Sequence, residues 1–277
     1  MAAFSAGTAL GPAIGGMAAD MIGVQPTFGM VGLSFASLAF FNQLVLSETQ
    51  SGPYRREIGE DDFETTKKNM TIKMAFDDAR NSWVPLMQDP RIRNVVFLNS
   101  VYWVALAGSQ MTLLPLYLTN PAGFALTAGA LGKVYAGMSA VQVIATKPIA
   151  TLADSFGKRE SMIGGCMLVS GSMFGLTQVD TIETLAAVLG MWSLGSTFLS
   201  VAPFAYVADV ADSENRAQAM ALLRTFGDVG FLVGAGCMGA FSDLTSMDTA
   251  IITGGGLLLS ATSYFSFLKM RGALGKN

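Results

Sequence analysis

Long, almost uninterrupted apolar runs constrain this chain more than any other feature. Eight of them have about the length needed to cross a bilayer, since a hydrocarbon core of about 30 Å requires roughly 20 residues of helix. Their apolar residues cover every face rather than one stripe, which is typical of helices surrounded by lipid or protein. The runs cover residues 1–19, 27–47, 93–118, 127–151, 161–178, 184–207, 217–242 and 249–269. The sequence therefore predicts an all-α integral membrane protein with eight transmembrane helices.

Composition excludes most soluble classes of protein. Of the 277 residues, 51% are hydrophobic and only 13% are charged, whereas a soluble domain has about 25% charged residues. The chain contains no His, and its sequence pairs no nucleophile with a base and spaces no set of metal ligands. We therefore expect neither an enzyme nor a cofactor or metal site. Nothing in the charge pattern points to nucleic acid.

The distribution of basic residues predicts the orientation of the chain. Lys and Arg are absent from four connections, at residues 20–26, 119–126, 179–183 and 243–248. The alternate connections and the C-terminus carry basic residues, most of them between 48 and 93. Because Lys and Arg concentrate in cytoplasmic loops, we expect the 48–92 loop and the C-terminus in the cytoplasm. Part of this loop could form an interfacial amphipathic helix, but its mixed charge favours a solvated tether.

The first two apolar runs repeat the last two at a constant offset. The matching pairs are Gly7 with Gly230, Gly11 with Gly234, Gly16 with Gly239, Asp20 with Asp243 and Gly32 with Gly255. Repeats of this kind are a feature of transporter folds. If the last six runs form one unit, the first two are the end of a second copy. The chain is then expected to begin inside a transmembrane helix.

The first run also contains a family motif. Residues 7–16 read GTALGPAIGG and are similar to the fifth-helix motif of the drug/proton antiporters in the major facilitator superfamily. Pro12 frees a backbone carbonyl and permits a bend. The glycines would admit a close, leak-proof helix contact or simple packing; they are Gly7, Gly11, Gly15 and Gly16.

A second segment resembles the cytoplasmic loop motif of the same family. Residues 150–159 read ATLADSFGKR, in which Ala150 and Ser155 depart from the family pattern. The matching residues are Asp154, Gly157, Lys158 and Arg159. Gly157 suits a turn with positive φ, and Asp154 can accept a hydrogen bond from a neighbouring helix N-terminus. The resemblance implies that this contact stabilises the outward-open state; a capped turn with cytoplasmic positive charge is the simpler alternative.

The resemblance covers the whole chain and implies a twelve-helix fold in two bundles, of which these eight helices would be helices five to twelve. Residues 1–47 would complete the N-terminal bundle, 48–92 would link the bundles, and 93–277 would form the C-terminal bundle. The first four helices, or a partner chain, would be needed to complete a pathway.

The implied function is secondary active transport of a small organic solute across the bilayer by alternating access. The helix-five motif favours proton-coupled export. Two alternatives stay open: a uniporter or symporter for a sugar, anion or other metabolite, and a truncated, non-transporting scaffold protein.

Charged residues inside the predicted spans are the main site candidates. Asp228 lies near mid-membrane, where an acid is unfavourable, and Arg224 one turn earlier is its natural partner. This pair could couple protons, bind substrate or stabilise the structure. Lys133 could contact an anionic substrate or snorkel to the membrane surface, whereas snorkelling is expected for Lys147. Polar residues that could line a cavity or bond between helices are Asn99, Tyr102, Gln110 and Tyr206.

Overall fold

The computed structural model describes residues 2–45, 72–121 and 123–271. Within these residues every regular element is a helix, as predicted. The helices are α1 (Ala2–Ile22), α2 (Val24–Val45), α3 (Ile72–Gln88), α4 (Pro90–Thr119), α5 (Ala128–Phe156), α6 (Lys158–Leu176), α7 (Ile182–Val210), α8 (Arg216–Leu244) and α9 (Met247–Met270). Helix α4 is π-helical in its middle, from Leu106 to Leu113.

Local sequence determines where several helices begin. The Asp89 carboxylate accepts a hydrogen bond from the Arg91 backbone N–H at 2.8 Å, and Pro90 occupies the first turn of α4. This is the arrangement that an N-cap acid followed by proline favours. Hydroxyl groups cap three other helices by accepting from the backbone N–H three residues later; they belong to Thr127 at α5, Thr181 at α7 and Ser246 at α9.

Each predicted apolar run corresponds to a helix, and α3 is additional. Among the described residues, five helices are long and apolar enough to cross a membrane: α2, α4, α7, α8 and α9. The number of eight spans therefore stays a prediction. Some helices are longer than the runs, since α5 continues to Phe156 and α7 to Val210. In these two helices, backbone hydrogen bonding continues past the apolar residues.

Residues 72–88 form helix α3, whereas their mixed charge favoured a solvated tether. Trp83, Leu86 and Met87 recur at helical spacing and pack against the hydrophobic core of the following helices. This apolar stripe outweighs the polarity of the rest of the segment. The tether is therefore wrong for this part of the loop, and residues 46–71 lie outside the described residues.

The main core lies within α4 to α9. Its largest fully buried side chains include Trp192 of α7 and Phe265 of α9. Glycines bring α6 and α7 close together: a Cβ at Gly165 would lie 2.7 Å from the Cβ of Phe198, and one at Gly195 would lie 2.8 Å from the Gly165 carbonyl oxygen. Helix α2 has no buried residue and packs on α1.

The helix boundaries agree with the internal repeat. Helix α1 ends at Ile22 and α2 begins at Val24, with Gly23 at φ +89° between them. Helix α8 ends at Leu244 and α9 begins at Met247. At the repeat offset these two breaks coincide. The break between α1 and α2 therefore corresponds in position to the break between α8 and α9.

Candidate functional site

The predicted charged pair lies on the exposed side of α8. Arg224 Nε is 3.1 Å from Oδ1 and 3.2 Å from Oδ2 of Asp228, as the spacing of four residues favours. The two side chains are 62% and 59% exposed, although α8 is apolar enough to cross a membrane. At 1.5 Å per residue, roughly 18 Å of helix separates Asp228 from Arg216. The pair therefore lies far from either end of α8.

An aromatic cluster flanks the charged pair. The Arg224 guanidinium lies 5.9 Å from the ring centroid of Trp103 on α4. The Trp103 centroid is in turn 6.1 Å from that of Phe231 and 5.6 Å from that of Tyr102. Gly227 makes room for the indole, because a Cβ there would lie 2.9 Å from Trp103 Cδ1. Apart from the buried Tyr102, this cluster offers charged groups beside aromatic side chains, which suits a solute with an aromatic or cationic part.

Three residues of this cluster were not among the candidates predicted from the sequence: Trp103, Phe231 and Gly227. Trp103 follows a candidate residue directly, and Gly227 immediately precedes Asp228. This adjacency to predicted residues was the only sequence signal for Trp103 and Gly227. Which faces of α4 and α8 meet depends on tertiary packing, which the sequence pattern does not specify.

The polar candidates on α4 lie inside the bundle. Asn99, Tyr102 and Gln110 are 3%, 3% and 5% exposed. Asn99 Nδ2 donates to the Leu223 carbonyl at 3.2 Å, whereas Asn99 Oδ1 and Gln110 Oε1 have no hydrogen-bond partner among the described residues. Gln110 belongs to the π-helical segment, and its backbone carbonyl accepts from the Tyr135 hydroxyl. Buried acceptors without partners are unfavourable and π-helical turns are frequent at functional sites, so this polar interior stays a candidate.

Tyr206 of α7 lies away from these residues and contacts the connection between α5 and α6. Its hydroxyl accepts hydrogen bonds from Arg159 Nη2 at 2.8 Å and Nε at 3.2 Å, and the guanidinium lies 5.1 Å from the Tyr206 ring centroid. Arg159 is 7% exposed. The adjacent Lys158 pairs with Asp209. Two basic residues of the loop motif thus fasten this connection to α7, a role that was not predicted for Tyr206.

The remaining motif residues behave differently from one another. Gly157 has φ +103°, which confirms the predicted turn, and a Cβ there would lie 2.5 Å from Glu160 Oε2. Asp154 is exposed and lines a cavity of about 440 Å³ together with Arg91 and Tyr206. Within the described residues, no helix N-terminus donates a hydrogen bond to Asp154. Its conformational role stays a prediction.

Two further ion pairs lie near helix ends. Lys269 of α9 pairs with Glu160 of α6. Burial is the largest single influence on the pKa of Glu160, and it raises the pKa. The hydrogen bond and charge of Lys269, a backbone hydrogen bond and the charge of Arg159 together outweigh burial, so the pKa lies below its usual value. The second pair joins Arg91 to Asp89. Burial raises the pKa of Asp89, but the hydrogen bonds and charge of Arg91 help to outweigh burial, so this pKa also lies below its usual value. These carboxylates are therefore ionised at neutral pH.

The glycine motif of α1 contacts α5 along one line. A Cβ at Gly16 would lie 3.2 Å from Gly132 Cα, and one at Gly132 would lie 3.1 Å from the carbonyl carbon of Pro12. The two backbones therefore touch, as predicted for a close helix contact. Three other motif positions face open space, with no heavy atom within 4 Å of an added Cβ: Gly7, Gly11 and Gly15. Their spacing of four places them on a neighbouring face of the helix.

Two polar side chains lie near the start of α5. Asp20 of α1 accepts hydrogen bonds from the Thr127 hydroxyl at 3.0 Å and the Gly129 backbone N–H at 2.8 Å. It therefore caps α5 from another helix, a role that the repeat did not reveal. Lys133 is exposed and lines an apolar cavity of about 290 Å³ between α5 and α7. The structure thus places Lys133 apart from the charged pair on α8.

Known proteins resemble this chain over much of its length. Residues 104–273 match the family model of the Major Facilitator Superfamily. An uncharacterized MFS-type transporter of Methanocaldococcus jannaschii is 23% identical over 242 residues, which are 87% of this chain and 58% of that protein. Multidrug resistance protein 2 of Bacillus subtilis is 28% identical over 116 residues, 41% of this chain and 28% of that protein. Quinolone resistance protein NorA of Staphylococcus aureus is 29% identical over 140 residues, 50% of this chain and 35% of that protein.

The chain spans 58% of the length of the archaeal relative and smaller parts of the other two. The family model covers more than half of the chain, from within α4 to beyond α9. The long apolar helices and the two motifs agree with that match. This chain is therefore a multi-pass membrane protein that belongs to the major facilitator superfamily.

Proposed function

We propose that the chain serves secondary active transport of a small organic solute, and that this transport is proton-coupled export. The observation that carries the proposal is the Arg224–Asp228 pair beside an aromatic cluster. The superfamily supports transport as a class of function. The motif in α1 supports antiport, and two relatives are named for multidrug and quinolone resistance.

The charged pair provides a physical basis for coupling. A carboxylate within an apolar membrane helix is unfavourable unless it is compensated, and Arg224 at 3.1 Å supplies that compensation. Protonating Asp228 removes the charge that holds Arg224 in place. A solute that binds beside Trp103 and competes for either partner is then linked to proton binding, and this linkage acts equally in both directions.

Alternating access needs two bodies that move about a shared site. In the proposed arrangement, residues 1–47 belong to one body and 93–277 to the other, with 48–92 as a cytoplasmic link. The contact between Gly16 and Gly132 then lies between the bodies. Because backbone atoms meet at these two glycines, the contact can act as a pivot. The distribution of Lys and Arg supports a cytoplasmic link and C-terminus.

Proteoliposomes test the proposal. The gene product, as its genome encodes it, is reconstituted with a pH-sensitive dye inside and a proton gradient across the bilayer. Adding a quinolone is expected to cause proton flux together with movement of the solute. Asp228→Asn is expected to abolish this flux and the pH dependence of transport. Asp243→Asn, at the end of the same helix, is the matched control and should keep both.

Each result separates the alternatives. Unchanged transport and pH dependence in Asp228→Asn would remove this acid from coupling. Movement of a sugar, anion or metabolite without the expected export would favour the uniporter or symporter alternative. If no solute of a tested panel is transported, the result would favour the alternative of a non-transporting scaffold protein.

A further inference from the structure

A small apolar cavity lies between α5 and α7, apart from the charged pair on α8. Its walls are the segments 133–141 of α5 and 182–190 of α7, and its volume is about 290 Å³. That volume lies at the lower end of the range for small-molecule sites. Residues such as Met138 and Leu189 make the lining almost entirely hydrophobic. A ligand in this cavity must therefore be small and have an apolar body.

Glycine on both walls keeps the cavity open. A Cβ added at Gly137 of α5 would meet no heavy atom within 4 Å, and the same is true at Gly190 of α7. Both glycines line the cavity. The space is therefore accessible from the backbone of either helix, and a larger residue at either position would fill it directly.

Lys133 supplies the only charge among the described residues that line the cavity. No ion pair joins Lys133 to an acid within the described part of the chain. The residue lies about 7.5 Å along α5 from Ala128, where the helix begins, at 1.5 Å per residue. Its side chain is exposed, so the ammonium can meet a group that arrives from the membrane interface. An uncompensated cation at the edge of an apolar cavity favours an anion there.

We propose that this cavity binds an amphiphilic monoanion. The acid group pairs with Lys133, and the apolar body lies between Gly137 and Gly190 within the hydrophobic walls. One positive charge and no lining acid select a single negative charge. Neutral analogues lose the charge-assisted hydrogen bond. This binding does not depend on the transport function proposed above.

Two sources can provide this chemistry: a free organic carboxylate, or an anionic phospholipid whose acyl chain enters the cavity. Both place an acid at Lys133 and hydrocarbon beyond it. Octanoate represents the free acid and phosphatidylglycerol the lipid. Octanamide has the same hydrocarbon chain as octanoate without its charge, so it isolates the contribution of Lys133.

Binding to the purified, delipidated chain is measured by equilibrium dialysis with labelled octanoate. Saturable binding at one site is expected, with octanamide competing at least tenfold more weakly. Lys133→Met is expected to weaken octanoate binding at least tenfold, and Lys133→Arg to retain it. Lys147→Met is the matched control, since Lys147 lies on the same helix outside the cavity lining, and it should bind as the unmodified chain does.

Filling the cavity provides a test that leaves the lysine in place. Gly137→Leu and Gly190→Leu, on opposite walls, should each abolish binding while the thermal unfolding midpoint stays close to that of the unmodified chain. If phosphatidylglycerol competes with octanoate in a manner that requires Lys133, the cavity takes lipid as well as free acid. Equal binding of octanamide, or unchanged octanoate binding in Lys133→Met, would overturn the proposal and leave Lys133 as a snorkelling residue.

Discussion

Replacing Gly234 by alanine tests the contact that holds α8, the helix of Arg224 and Asp228, against α4. Gly234 lies on α8 where it faces α4. A Cβ there would lie 2.7 Å from the Cα of Val104 and 2.8 Å from its carbonyl carbon. These are backbone atoms, so no change of rotamer can relieve the overlap. Helix α8 must therefore move away from α4.

The size of the effect follows from two opposing contributions. Inserting an extra methyl into a packed interface costs about 1–3 kcal/mol, and an overlap between backbones belongs at the upper end of that range. Alanine also stabilises a helix over glycine by about 1 kcal/mol. The expected net loss for Gly234→Ala is therefore about 1–2 kcal/mol. Gly236→Ala is the matched control, because an added Cβ at Gly236 would meet nothing within 4 Å.

Thermal unfolding in one detergent, followed by tryptophan fluorescence, measures the difference. A loss of that size lowers the midpoint by about 2–8 °C for a chain of this length, whereas Gly236→Ala should leave the midpoint unchanged or raise it. Trp103 of α4 packs against Gly227, which lies on α8 together with Gly234. The fluorescence emission of Trp103 should therefore also shift in Gly234→Ala. Equal midpoints for the two alanine variants would refute the reasoning, because the overlap distinguishes them.

Three further measurements test other contacts. Gly16→Ala should slow transport in proteoliposomes by separating α1 from α5, whereas Gly15→Ala should not, and equal rates would argue against the pivot. Because the folded-state pKa of Glu160 is lowered, its pair with Lys269 stabilises the fold above the usual pKa of 4.5 and loses that effect as pH falls through the folded-state pKa. Acid unfolding of Glu160→Gln should therefore depend less on pH, and an unchanged profile would contradict this. Asp20→Ala should cost about 0.5–2 kcal/mol in unfolding free energy, and no loss would show that the cap on α5 is dispensable.

Local sequence accounts for much of the fold. The apolar runs locate the helices because a membrane helix satisfies its own backbone and needs only length and hydrophobicity. The pairing of Arg224 with Asp228 follows from spacing of four residues. The helix at 72–88 was not predicted as the favoured structure, because the mixed charge of this segment outweighed the apolar stripe that contains Trp83 in the sequence pattern.

Contacts between distant parts of the sequence were beyond local patterns. Nothing in the sequence places Arg159 against Tyr206, or Trp103 against the charged pair. Asn99 and Gln110 were expected either to line a cavity or to bond between helices. The structure places both side chains in the buried interior, which the sequence pattern alone did not specify. Helix periodicity defines the faces of a helix but not which neighbour each face meets.

The internal repeat shows how strongly the neighbour matters. On α8, Gly230 and Gly234 bring the backbone against Ser100 and Val104 of α4. Their repeat equivalents on α1 face open space, while Gly16 of α1 contacts α5 instead. The same pattern of glycines thus permits two different close contacts, on different faces of equivalent helices. A glycine motif therefore identifies helices that can approach closely, and the surrounding helices decide which glycines are used. For this chain, α8 is held by its glycines against α4, which leaves the Arg224–Asp228 side of the helix exposed.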